Sequence, residues 1–104
     1  MDEATNVSYG FDSAPVRYRS IAIALLKLLY DSKPDPVRNK TIMDEAAGKF
    51  SERLVYDTLR EITECGLVVK VTNRKKFVDY IITDNGINYL NEYYGKIGKP
   101  LLPV

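Results

Sequence analysis

The feature that most constrains how this chain folds is a change of hydrophobic period at Gly66. Before it, Val55, Leu59 and Ile62 recur at i, i+4 and i+7, the spacing of one helix face. After it, Leu67, Val69 and Val71 alternate with Val68, Lys70 and Thr72, as side chains do along a strand. A glycine in the left-handed conformation ends a helix and turns the chain within one residue. The polar run Asn73, Arg74, Lys75 and Lys76 then reads as a turn, and residues 77–82 as the returning strand. Helix and β-hairpin thus follow one another directly, which places the chain in the α+β class.

The helix that ends at Gly66 is expected over residues 51–65, with Ser51 as its N-cap and Glu52 and Arg53 in its first turn. Leu54 flanks its buried stripe, and the opposite face carries Arg53, Tyr56, Asp57, Arg60 and Glu64. A shorter helix precedes it over residues 40–48, burying Ile42, Met43 and Ala46 and capped by Gly48. Residues 49–50 form the tight connection between the two. Further upstream, Ile21, Leu25, Leu28 and Leu29 mark a helix over residues 16–30, widened by Ala22, Leu26 and Tyr30. Pro15 suits its start, and residues 31–36, with two prolines, end it. This helix is apolar on more than one face, so it is expected to pack on the core and on something else. Downstream, Thr83, Asp84 and Asn85 cap a last helix over residues 86–94, with Ile87, Leu90 and Tyr94 on one face and Tyr89 and Tyr93 beside them. Residues 1–15 read as a flexible arm, 16–95 as the domain and 96–104 as a tail.

Composition excludes several classes of function. A chain of 104 residues, 45% hydrophobic and 28% charged, fits one globular domain. Its longest apolar run, residues 21–26, stops at Lys27 and is far too short to span a bilayer, so no membrane partner is expected. The acidic start (Met1, Asp2, Glu3) has no apolar leader pattern, which argues against secretion. Cys65 is the one cysteine and there is no histidine. A lone cysteine cannot close an intramolecular disulfide, which suits the cytoplasm, and Cys65 reads as a small buried filler. Without histidine the usual zinc sites and nucleophile–histidine pairs are gone, so neither an enzyme nor a cofactor is expected. The net charge is only +1, but it is segregated. Lys70, Arg74, Lys75 and Lys76 lie between Gly66 and Val78 with no acid among them, while Asp2, Glu3, Asp57, Glu61 and Glu64 lie elsewhere.

The order helix, helix, helix, hairpin, helix is the plan of a winged helix-turn-helix domain. The second helix of the pair fits the major groove of duplex DNA, and the hairpin beside it reaches phosphates or the minor groove. Two segments carry a family resemblance. Residues 56–68, Tyr-Asp-Thr-Leu-Arg-Glu-Ile-Thr-Glu-Cys-Gly-Leu-Val, resemble the recognition helix and wing entry of PadR-like and MarR-like regulators. Residues 80–86, Tyr-Ile-Ile-Thr-Asp-Asn-Gly, resemble the segment that closes the wing and opens the last helix in PadR-like proteins. The compact size is also similar to small archaeal, viral and plasmid-borne winged-helix proteins, some of which repress genes and some of which coat plasmid partition sites. The resemblance implies sequence-specific binding of double-stranded DNA as a homodimer, in the cytoplasm and associated with the nucleoid. The last helix is shorter than the dimerisation helices common in PadR-like regulators.

The candidate DNA contacts are Ser51, Arg53, Tyr56 and Arg60 on the recognition helix, Asn73, Arg74, Lys75 and Lys76 on the wing, and Lys40, Thr41 and Lys49 around the short helix. Arginine reads guanine bidentately, and a helix N-terminus favours phosphate. Arg38 is a weaker candidate. Structural alternatives stand beside these: Arg60 paired with Glu64, Tyr56 packed on the second helix, and a wing tip that is a solvated turn. Ile21, Leu25, Leu28, Tyr89, Leu90, Tyr93 and Tyr94 are the candidate dimer seam, the alternative being that they cover the chain's own core. A winged-helix module that binds other proteins rather than DNA is the competing functional reading.

Overall fold

The computed structural model describes residues 14–72 and 77–98. In chain order they form α1 (Arg19–Ser32), β1 (Val37–Arg38), α2 (Asn39–Ala46), α3 (Glu52–Glu64), β2 (Val68–Thr72), β3 (Val78–Ile82) and α4 (Asp84–Lys96). The strands make one antiparallel sheet in the order β1-β3-β2. β2 pairs with β3 from Val68↔Ile82 to Thr72↔Val78, and β1 adds Val37↔Tyr80 on the far side. The expected two-stranded hairpin is therefore a three-stranded sheet. β1 escapes a reading by period because two residues are too few to show alternation.

Gly66 adopts φ +78°, the left-handed turn expected of it. The Cys65 N–H reaches Glu61 O, and the Leu67 N–H reaches Ile62 O, so the last carbonyls of α3 are satisfied as β2 begins. Thr83 ties this turn to the start of α4. Its hydroxyl donates to Gly66 O at 2.6 Å and accepts from the Gly86 N–H at 3.1 Å, while its own N–H donates to Leu67 O at 3.0 Å. The two sequence segments 56–68 and 80–86 thus meet in space at one hydrogen-bonded junction. Gly86 fits there because a Cβ would lie 2.2 Å from Leu67 O.

Other ends differ from expectation. Gly48 is not left-handed: α2 stops at Ala46, and the Lys49 and Phe50 N–H groups both return to Ala46 O at 3.0 Å, closing the turn without it. Ser51 stands at the N-cap position of α3, but its side chain makes no capping bond. α1 starts at Arg19 rather than residue 16: before it Ala14 and Val16 are buried, and the Val16 N–H donates to Ala14 O at 2.8 Å in a tight turn that is not helical. The packed domain therefore reaches back to at least Ala14, and most of the expected arm and tail (1–13 and 99–104) lies outside the described residues.

The core lies where α1 crosses α3, α4 and β3. Ile21, Ala22, Leu25, Leu26 and Leu29 of α1 meet Val55, Leu59 and Ile62 of α3, Tyr89 and Leu90 of α4, and Val68, Tyr80 and Ile82 of the sheet. This corrects the expected dimer seam. Ile21, Leu25, Tyr89 and Leu90 are 0–3% exposed within a single chain, so their apolar surface is already covered. α1 is apolar on several faces because it touches α2, α3, α4 and β3 at once. Of the seam residues, Leu28, Tyr93 and Tyr94 remain half-buried at the surface. Cys65 is buried, as expected of a filler. No described helix is long and apolar enough to cross a membrane.

Candidate nucleic-acid interface

Burial of Val55, Leu59 and Ile62 fixes the rotation of α3 and turns Arg53, Tyr56, Arg60 and Glu64 outward. Thr58 is also buried, its hydroxyl donating to Leu54 O at 2.7 Å, which satisfies the one polar side chain on the inner face of α3 that would otherwise lack a partner. Two grooves flank the exposed face. One, of about 460 Å³, runs between α3 and the sheet, with Leu59 and Tyr80 in its floor and Tyr56, Arg60 and Lys70 on its rim. The other, of about 400 Å³, lies between α2, α3 and the base of the wing, bordered by Arg38, Lys40, Met43 and Phe77. Tyr56, 46% exposed, stands between the two and borders both.

The cations around these grooves are held loosely. Lys40 Nζ lies 2.8 Å from Asp44 Oδ2, and Arg60 Nη2 lies 3.7 Å from Asp57 Oδ1 rather than pairing with Glu64. Exposed pairs of this kind contribute about 0–1 kcal/mol, so a phosphate can displace the carboxylate at little cost. Arg38 is held differently: its guanidinium carbon lies 4.5 Å from the centre of the Phe77 ring. That cation–π contact holds the Arg38 guanidinium at the base of the wing, where Asp79 is its cross-strand neighbour.

Two of the four acids of α3, Asp57 and Glu61, meet Arg17, while Glu52 and Glu64 are exposed and Glu64 borders the first groove. Glu61 accepts from Arg17 twice, from Nε at 2.6 Å and from the backbone N–H at 3.1 Å. Asp57 lies 4.0 Å from the same guanidinium. Burial alone pushes the Glu61 carboxyl up, but the two hydrogen bonds from Arg17 and its charge outweigh that and hold it below the ordinary carboxylate value. The same pairing raises Arg17.

The expected contacts fall into three groups. Lys40, Tyr56 and Arg60 gather at the grooves, with Arg53 and Ser51 exposed on the same helix and its cap. Thr41 and Lys49 are exposed but lie apart, Thr41 against residues 31–38 and Lys49 over a hollow between α1 and α2. Asn73, Arg74, Lys75 and Lys76 fall outside the described residues. Lys70 and Arg17 were not among the expected site residues. Lys70 was visible as a strand cation, and its pairing opposite Tyr80 follows from the hairpin register. Arg17 gave no local signal, because its partner is 44 positions away.

No family model matches the sequence, and no curated protein matches it. Solved structures do match. The ferric uptake regulator of Francisella tularensis, in a structure with iron, superposes with a TM-score of 0.56 at 12% identity over 86% of each chain. The ferric uptake regulator of Vibrio cholerae gives 0.58 at 10% identity over 90% of each chain. Lactococcus lactis ZitR in complex with DNA gives 0.59 at 22% identity over 91% of this chain and 63% of its own. The sequence has no histidine, and among the described residues no three Cys, Asp or Glu gather as metal ligands would. At these identities the likeness is one of fold. The chain is a winged-helix domain, with α2 and α3 as the helix-turn-helix and β2–β3 as the wing.

Proposed function

We propose that this protein is a regulator that binds double-stranded DNA as a homodimer, with α3 in the major groove and the wing on the backbone or minor groove. One observation carries the reading: the outward face of α3 presents Arg53, Tyr56 and Arg60 beside grooves rimmed by Arg38, Lys40 and Lys70. An exposed aromatic flanked by arginines is suited to base edges, while the flanking cations suit phosphates that set register without reading sequence. ZitR, which shares the fold, has been captured in complex with DNA. In the sequence, Asn73, Arg74, Lys75 and Lys76 stand between the residues of β2 and β3 and add three cations to the wing segment. Leu28, Tyr93 and Tyr94 are the part of the expected seam left for a second copy. PadR-like or MarR-like membership rests on the two sequence segments at residues 56–68 and 80–86, and kinship with small archaeal, plasmid or viral proteins on the compact size.

Duplex affinity across a salt series tests the reading. If Arg38, Lys40, Arg53, Arg60 and Lys70 each neutralise one phosphate, whether or not the α3 arginines also reach a base edge, log K falls against log salt with a slope of about −4.5 per protomer, and more steeply if the wing tip joins them. Arg53→Ala and Arg60→Ala each weaken binding. A repressor protects one bounded palindromic site, whereas a partition-site binder protects a footprint that grows with protein concentration. Absence of duplex binding at low salt, where nonspecific attraction is strongest, overturns the reading in favour of a protein-binding module.

A further inference from the structure

We propose that Arg17 is a positioning residue of the DNA-binding face, occupying the carboxylates of Glu61 and Asp57 so that Arg60 is left to phosphate. The inference rests on the DNA-binding reading above. Arg17 lies in the bent segment just before α1, and it grips Glu61 at two points, through Nε at 2.6 Å and through its backbone N–H at 3.1 Å. The Glu61 side chain is only 13% exposed, so it has little room to swing elsewhere. One turn earlier on α3, Asp57 stands between two guanidinium groups, 4.0 Å from Arg17 and 3.7 Å from Arg60. Glu61, Arg17, Asp57 and Arg60 therefore form a row of alternating sign whose charges cancel.

The asymmetry within that row gives Arg17 its role. Its hold on Glu61 is short and made at two points, whereas Arg60 meets Asp57 through one long contact. Without Arg17, two carboxylates would face a single guanidinium, and Arg60 is that guanidinium. It would be drawn toward its own helix, and the flank of α3 would repel the DNA backbone. Arg17 need not touch DNA for this to happen. It sets the charge that DNA meets.

A double-mutant cycle of wild type, Arg17→Ala, Glu61→Gln and the double variant tests this, with duplex affinity and salt slope as readouts and thermal unfolding as the control. Arg17→Ala is expected to weaken binding roughly three- to tenfold at low salt and to make the slope shallower by about one, the loss of one phosphate contact. Adding Glu61→Gln should restore affinity to within about twofold of Glu61→Gln alone, because Asp57 and Arg60 then balance. A folded Arg17→Ala protein that binds like wild type overturns the inference, as does a double variant that stays weak. If Arg17→Ala does not fold, Asp57→Asn decides the matter: freeing Arg60 from its acid should tighten binding several-fold, and no change overturns the proposal. A wild-type protein that binds no duplex defeats the DNA-binding reading itself, a result seen before any variant is made, and the inference falls with it.

Discussion

Replacing Gly86 with alanine should destabilise this protein even though alanine is the better helix former. Gly86 sits in the first turn of α4, where the wing returns to the helical layer. A Cβ built there would lie 2.2 Å from the Leu67 carbonyl oxygen and 2.6 Å from Ile82 Cγ1. The first of these is backbone, and it already accepts the Thr83 N–H at 3.0 Å, so it cannot rotate aside. Relief must come from moving α4 off the wing junction, which stretches the Thr83–Gly86 cap and the Thr83–Gly66 bond together. The helix preference gained is about 0.8–1 kcal/mol. Overpacking costs about 1–3 kcal/mol, and each weakened hydrogen bond about 1 kcal/mol more. The net expectation is a loss of about 2–4 kcal/mol, with Tm falling by about 4–8 °C for each kcal/mol. Gly95 supplies the control, since it lies in the same helix, is exposed and has nothing within 4 Å of a built Cβ. Gly95→Ala should be neutral or stabilising by up to about 1 kcal/mol. Urea unfolding followed by far-ultraviolet circular dichroism compares the two at unchanged m. A Gly86→Ala protein as stable as wild type would refute the close approach and the junction built on it.

Two further predictions concern the same framework. Thr83→Val keeps the shape but removes the hydroxyl that joins Gly66 O to the Gly86 N–H, and should cost about 1–2 kcal/mol in urea unfolding, with Thr83→Ser retaining most of it. Because the folded pKa of Glu61 is lowered, its stabilising contribution is present above the ordinary carboxylate pKa and is lost as pH falls through the lowered value. Unfolding of wild type and Glu61→Gln from neutral to acid pH should therefore give a gap that closes at the acid end, and a constant gap would count against the clasp.

Much of this architecture was legible in the sequence because it is written locally. The period change at Gly66, the stripe of Val55, Leu59 and Ile62 and the cap at Thr83 each need only a few neighbouring residues, and each appears in the fold. Three things were not legible, for different reasons. β1 is a two-residue strand that exists only because β3 offers it an edge at Tyr80 and Asp79. The Arg17 clasp joins residues far apart in the chain, and nothing near either one announces the other. Periodicity shows which face of α1 or α4 is apolar but not what covers it, so Ile21, Leu25, Tyr89 and Leu90 suited a dimer seam as well as a core until the packing was seen. Gly48 shows the limit of a local rule, since hydrogen bonds back to Ala46 can end a helix without a left-handed residue. At the candidate site, rotation of α3 followed from its buried stripe, whereas the contribution of Lys70 needed the register of the hairpin.

The central claim, that DNA docks on α3 and the wing, is tested most directly by following backbone amide resonances as duplex DNA is added at low salt. The account predicts that the largest shifts map to Arg53, Tyr56 and Arg60 on α3, with Arg38, Lys40 and Lys70 around the grooves, and that these shifts fade as salt rises. Leu28, Tyr93 and Tyr94 should stay where they are. Shifts centred on α1 and α4, or none at low salt, would contradict it.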